Sequence, residues 1–254
     1  MSNQNHFRLF VLVGIMSFAF TFLHSQSDGR SYFNTVLSAY GSTSSVQSLR
    51  NYHLQGTITV IDGEREDTGQ VEIYYKKPDR YKKIVSLGTE TNNTSVVGDV
   101  RYQYHKDAGV VSGRGRMNRR EGDRLVRFLD GELCNILAIP PGNLEVTLLD
   151  DTVWVDGVEL DVVKIWQSRN DSAWIKLLIN PGTHLIQRVE MYMVDANRDT
   201  YFERWLEFSD YAPRGPIQFP SRIVEYFDGK PTAVIQVEAV EFNISMSENL
   251  FKPE

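Results

Sequence analysis

From Tyr52 onward the side chains alternate with a period of two, and turn residues interrupt that alternation about every ten residues. This pattern rules out a helical bundle and requires a large antiparallel sheet. "YHLQGTITV" sets Tyr52, Leu54, Ile58 and Val60 against His53, Gln55, Thr57 and Thr59, and "GQVEIYYKKP" sets Val71, Ile73 and Tyr75 against Glu72, Tyr74 and Lys76. After a turn at Pro78 and Asp79, "PDRYKKIVSL" gives a third strand, and "SVVGDVRYQYH" reads as a fourth. Asp156-Gly157 and Asp228-Gly229 are two-residue hairpin signals, because a type I′ turn needs positive φ at both positions. Counted from Asn51, the pattern gives about eleven strands with one helical insertion.

Helical spacing occurs twice. "SDGRSYFNTVLSAYGS" places Tyr32, Phe33, Val36, Leu37 and Tyr40 on one stripe between a cap at Asp28 and a stop at Gly41, and a short turn follows in "SSVQSLRN". "NRREGDRLVRFLDGELCNILAIPP" predicts a helix from Arg119 to Ala138, either continuous or broken in two at its glycines. Several later strands are apolar on both faces: "HLIQRVEMYMV" offers Leu185, Val189, Met191 and Met193 on one side and Ile186, Tyr192 and Val194 on the other. Outer apolar residues require a partner, a membrane or local strand-pair packing, whereas an inner excess leaves a cavity.

Residues 1–27 read as a signal peptide. Arg8 precedes the uncharged run "LFVLVGIMSFAFTFL", shorter than the ~20 residues of a spanning helix, and a small-residue S-Q-S site ends it. The alternative is an uncleaved anchor. Cleavage removes one of the 27 Lys and Arg and none of the 33 Asp and Glu, so the mature chain is acidic, which excludes a general polyanion binder and argues against nucleic acid. Residues 28–254 suit one domain, taken as a monomer. The only cysteine, Cys134, lies among helical apolar positions far from the tag, which excludes an internal disulfide and argues against lipidation.

Four stretches carry a resemblance: the first helix running into "LRNYHLQGTITV", then "GQVEIYYKKPDRYKKIV", "VVGDVRYQYHKD" and the closing "GPIQFPSRIVEYFDGKP…VEAVEFNISMSENLFKPE". Together the chain resembles the periplasmic lipoprotein-carrier superfamily, LolA- and LolB-like, with its outer-membrane lipoprotein-sorting relatives. The resemblance implies a mainly β fold, an incomplete antiparallel barrel with helices covering its concave side, around a cavity for lipid or for the acyl chains of lipoproteins. It implies a periplasmic, non-enzymatic carrier or chaperone. The same fold also supports an envelope sensor that binds a partner protein. On this reading Leu54, Ile58, Val71, Ile73, Tyr75, Tyr102, Tyr104, Val189 and Met191 line the cavity. The family's basic residue before proline, an arginine that latches the lid, falls on Lys77, which lacks the planar fork and serves either as a weaker latch or as a solvated strand end.

No catalytic group assembles. His53, His105 and His184 stand singly, without metal spacing, and no nucleophile elbow is present, so neither metal nor cofactor is expected. "DANRDTYFERWLE" begins like a calcium loop but has Thr200 where glycine is needed and Leu206 where glutamate is needed. "SGRGRMNRREGDRLVR" concentrates arginines, and its glycines suggest a flexible loop. Arg114, Arg116, Arg119 and Arg120 either point to water or meet an anionic head group or an acidic envelope protein. The exported protein should begin between Gln26 and Asp28. Intact mass tests this, and a product still starting at Met1 or Ser2 would favour the anchor.

Overall fold

The two-residue alternation builds a single antiparallel sheet of thirteen strands in the computed structural model, which describes residues 29–77, 80–97, 100–107, 110–118, 132–137, 145–167, 170–195 and 200–252. The strands are β1 (Asn51–Asp62), β2 (Arg65–Lys76), β3 (Arg80–Leu87), β4 (Glu90–Val97), β5 (Val100–Asp107), β6 (Val110–Asn118), β7 (Glu145–Val155), β8 (Val158–Gln167), β9 (Asn170–Ile179), β10 (Ile186–Asp195), β11 (Thr200–Arg214), β12 (Ile217–Phe227) and β13 (Lys230–Phe242). Their order is β6-β5-β4-β3-β2-β1-β13-β12-β11-β10-β9-β8-β7, so β6 and β7 are the two edges and the sheet does not close. Helix α1 covers residues 29–39, α2 is Thr43–Gln47, α3 is Glu132–Leu137, and a 3-10 turn spans Glu248–Phe251.

Two strands exceed the sequence count, for identifiable reasons. "SVVGDVRYQYH" is not one strand but the end of β4 and the start of β5. The arginine stretch read as a loop begins as strand β6, its two glycines notwithstanding. The predicted helix from Arg119 to Ala138 falls within the described residues only at α3. The hairpin signals hold: φ is 49° and 79° at Asp156 and Gly157, and 46° and 78° at Asp228 and Gly229. Within β1 a bulge against β13 lies between Gln55 and Gly56, and a Cβ at Gly56 would sit 2.1 Å from the Gln236 carbonyl oxygen.

The sheet curls. Lys83 on β3 forms an ion pair with Glu225 on β12, although β2, β1 and β13 lie between them. At about 4.8 Å per strand, four steps across a flat sheet would separate the two backbones by about 19 Å, beyond the reach of these side chains. The face that carries Lys83 and Glu225 is therefore concave. Ile73, opposite Lys83, and Ala233 and Leu206, opposite Glu225, share it.

Helix α1 fills part of that concavity. Phe33, Val36, Leu37 and Tyr40 join one buried cluster with the inner residues of β1, β2 and β8 to β13. Three hydroxyl contacts fix the helix. The Ile186 N–H donates to Tyr40 Oη at 3.0 Å, the two tyrosine oxygens are 3.0 Å apart, and Tyr211 Oη donates to the Ile186 carbonyl at 2.5 Å. Each phenol has one proton, so the directions close into a ring in which Tyr40 donates to Tyr211. The ring satisfies both backbone groups of Ile186 beside the bulge where β10 departs from its β9 register. Tyr32 Oη donates to Asp161 on β8, and the Gln218 N–H donates to the Tyr40 carbonyl at 2.8 Å.

The convex face explains the doubly apolar strands. Val162, Leu178, Arg188, Glu207 and Val224 are successive register partners from β8 to β12, and the valines and the leucine are buried outside the inner cluster. Long amphipathic side chains stand on this face. Arg188 pairs with Glu207 at 2.7 Å and lies over the Trp205 ring, which stacks on Tyr226 at 4.9 Å, while Lys176 lies over Trp174. Such residues cover apolar surface with their stems and rings, and among the described residues Arg188 Nε and Trp205 Nε1 are buried there without a hydrogen-bond partner.

Tyr40→Phe and Tyr211→Phe should each lower stability by about 1–3 kcal/mol, because each leaves a buried Ile186 group or phenol without its partner. The double variant should cost less than the sum of the two. Denaturant melts in a double-mutant cycle measure this, and strict additivity would mean that the ring does not act as one unit.

Candidate functional site

The concave face is the part of the fold that a ligand could occupy. Leu54 and Ile58 on β1, Val71, Ile73 and Tyr75 on β2, and Val189 and Met191 on β10 are all buried within its single cluster. Leu133, Ile136 and Leu137 of α3 are buried in the same cluster, so two helices line the sheet's inner side. Tyr102 pairs with Ser95 and Tyr104 with Asn93, and those rows continue to Lys82 and Ile84, out of phase with Tyr81, Lys83 and Val85, which face Tyr75, Ile73 and Val71. Reading β4 and β5 as one strand had kept Val96 in phase with Tyr102, whereas the hairpin pairs Val96 with Arg101.

A group of three charged side chains interrupts the apolar face, and the sequence reading missed it. The carboxylate of Glu225 meets the ammonium of Lys83 on one side and the Nη2 of Arg204, at 3.6 Å, on the other. Their side chains are 14%, 16% and 30% exposed. Burial alone raises the Glu225 pKa, but Lys83 and Arg204 outweigh it and hold the group at about 2. The signal was legible in principle: Lys83 sits between Tyr81 and Val85 in the apolar phase of its strand, where a charge has no reason to be.

Lys77 follows β2 and its N–H donates to the Arg50 carbonyl at 2.8 Å. The neighbouring bases tie down the chain's last turn: Lys76 bonds Glu248, and Arg80 Nε lies 3.4 Å from its other oxygen. Phe251, in the same turn, is buried in the chain's interior. Arg114 and Arg116 lie on the edge strand β6, and Arg119 and Arg120 lie outside the described residues. The calcium-like loop has its Asn197 and Asp199 outside them too. Among the described residues, no three His, Cys, Asp or Glu side chains gather to hold a metal ion. On the convex side, His53 stacks on Tyr74 at 4.2 Å, with its Nε2 3.2 Å from Glu72. A cavity of about 530 Å³ opens where the β7–β8 and β9–β10 turns meet β11, lined among others by Val158, Leu185, Phe208, Asp210 and Arg222. None of the nine predicted cavity residues borders it.

An open, curled antiparallel sheet with helices on its concave side defines a LolA-like half-barrel, and comparison with solved structures gives the same fold. The chain is similar to a LolA superfamily protein from Nitrosomonas europaea (13% identity, TM-score 0.54, 86% of this chain and 96% of that one). It is also similar to a putative outer membrane lipoprotein-sorting protein domain from Vibrio parahaemolyticus (10%, 0.54, 89% and 97%) and to a DUF1329 family protein from Desulfovibrio piger (12%, 0.53, 88% and 97%). No protein-family model and no curated protein sequence matches the chain. No helix among the described residues is long and apolar enough to cross a membrane.

A carboxyl held near 2 in the folded state, against an ordinary 4.5, contributes stability that is complete above pH 4.5 and is lost as the pH falls through 2. Glu225→Gln should therefore be less stable than the parent at neutral pH. The gap should stay constant from pH 5 to 8 and narrow between pH 4.5 and 2, by at most about 3 kcal/mol. Urea melts across that range check it, and a gap independent of pH would show that the carboxylate gains nothing from its two cations.

Proposed function

We propose that the chain is an exported, non-enzymatic carrier that shields a hydrophobic ligand, a lipid or the acyl chains of a lipoprotein, on the concave side of its half-barrel. The supporting observation is the inner face itself. Leu54, Ile58, Val71, Ile73, Tyr75, Val189 and Met191 form one buried apolar surface lined by helices and not by a second sheet. The fold is the one found in a lipoprotein-sorting domain. On this reading residues 1–27 are removed on export to the periplasm, and residues 28–254 act as a soluble monomer.

Burial of an acyl chain is favoured by about 25 cal/mol per Å² of apolar surface, offset by whatever must move to admit it. Helix α1 is bonded to the sheet through Tyr32, the Tyr40 hydroxyl and the Tyr40 carbonyl, and it stays in place when a chain enters. Lys77 is a weaker counterpart of an arginine latch. Arg114, Arg116, Arg119 and Arg120 provide a secondary contact for an anionic head group or an acidic envelope protein.

The variant carrying Ile73→Glu and Met191→Glu puts two carboxylates on the inner face, each costly to bury unpaired. It should lose binding of a fluorescent fatty acid by about 100-fold or more, and circular dichroism shows whether it still folds. A folded double variant that binds the probe like the parent would remove these residues from the site and favour a sensor that binds a partner protein through the sheet.

A further inference from the structure

The trio of Lys83, Glu225 and Arg204 has no role in shielding an alkyl chain, and its placement is costly on general grounds. A buried ion pair is often no more stabilising than apolar residues of the same volume. Here two cations share one carboxylate, which leaves one positive charge of the trio unbalanced within it. Glu225 is engaged on both sides, but Arg204 is not used fully. Its contact, at 3.6 Å, is longer than a hydrogen bond, it is the most exposed of the three, and its guanidinium carries five donors.

The surroundings are graded. On one side of the trio, two residues back along β12, the inner face is buried at Ile223 and at its register partners Phe208 and Ile235. Beyond it, two residues further along β12, Phe227 is 45% exposed. The charges thus mark the boundary between a dry floor and an open rim. A group with a negative charge and an apolar tail matches both parts: the head pairs with Arg204 and Lys83, and the tail follows the floor.

We propose that Arg204 and Lys83 form the head-group site of the carrier, selecting single-chain amphiphiles with an anionic head, a carboxylate or a phosphate, and that Glu225 holds the two cations in place while the site is empty. The assignment rests on the carrier reading above. On entry, the ligand's head takes the guanidinium donors that Glu225 does not use, so no proton has to move. Charge-assisted pairs of this kind are roughly twice as strong as neutral hydrogen bonds and are lost when the head is esterified.

The test compares the polyene fatty acid parinaric acid with its methyl ester on the mature chain, read by probe fluorescence. The parent should bind the acid about tenfold or more tighter than the ester. Arg204→Gln should bring the two within about threefold by weakening only the acid, Arg204→Lys should keep most of the preference, and Glu225→Gln should strengthen the acid relative to the ester. Thermal melts accompany each variant. If Arg204→Gln does not fold, Arg204→Lys and Glu225→Gln decide alone, since a merely structural trio would shift acid and ester equally in both. Equal binding of acid and ester by the parent overturns the head-group site and leaves the carrier intact. Binding of neither probe by the folded parent removes the carrier reading and this one with it. Displacement of the acid by inorganic phosphate, with no binding of the ester, would make this a free-anion site and overturn the amphiphile assignment.

Discussion

The closed hydrogen-bond ring of Tyr40, Tyr211 and Ile186 is the contact on which the arrangement of this molecule turns. A thirteen-strand sheet that curls without closing leaves a concave apolar face, and water would lie against it unless something else did. Helix α1 carries the complementary stripe, but an apolar stripe has no directional preference and could slide. The ring supplies the direction. It joins the first residue after the helix to a strand bulge, and burial raises the Tyr211 hydroxyl well above its ordinary pKa, so it stays protonated as a donor. Tyr32, held to Asp161 near the start of the helix, fixes the other end.

The ion trio stands at the opposite end of β11 and β12 from this anchor, at Arg204 and Glu225. The two ends differ in chemistry. Neutral phenols and backbone groups close one, and two cations around one carboxylate sit at the other. Packing and polarity therefore change along the strands, and the proposed carrier would take an elongated amphiphile in one orientation.

Open sheets carry a liability at their edges, and this one manages β7 visibly. Asp150 and Asp151 fall in the bulge where β7 leaves its register with β8, between Leu148 and Thr152, and both are exposed. A bulge with adjacent acids discourages pairing with another chain's strand. The convex face is protected differently, by Arg188, Trp205, Tyr226 and Trp174 standing over buried Val162, Leu178 and Val224. That answers why the later strands are apolar on both sides without a second layer.

Alternation and turn chemistry determined, from sequence alone, that the chain makes a long antiparallel sheet with an amphipathic helix before it, and they fixed the turns at Asp156-Gly157 and Asp228-Gly229. These are local properties, set by side-chain period and by the φ that a turn demands. The inward phase of β1 and β2 was legible for the same reason, since Leu54, Ile73 and their neighbours alternate cleanly within single strands. The register of Tyr102 and Tyr104 was not, because one unseen hairpin, which pairs Val96 with Arg101, separates β4 from β5. Only the tertiary structure decided which sequence-distant charges meet. Lys83 and Glu225 are 142 positions apart, and their contact exists only because four strand steps curl into an arc. Curvature is a property of the whole sheet, summed from the twist between each pair of strands, and no short window of residues encodes it.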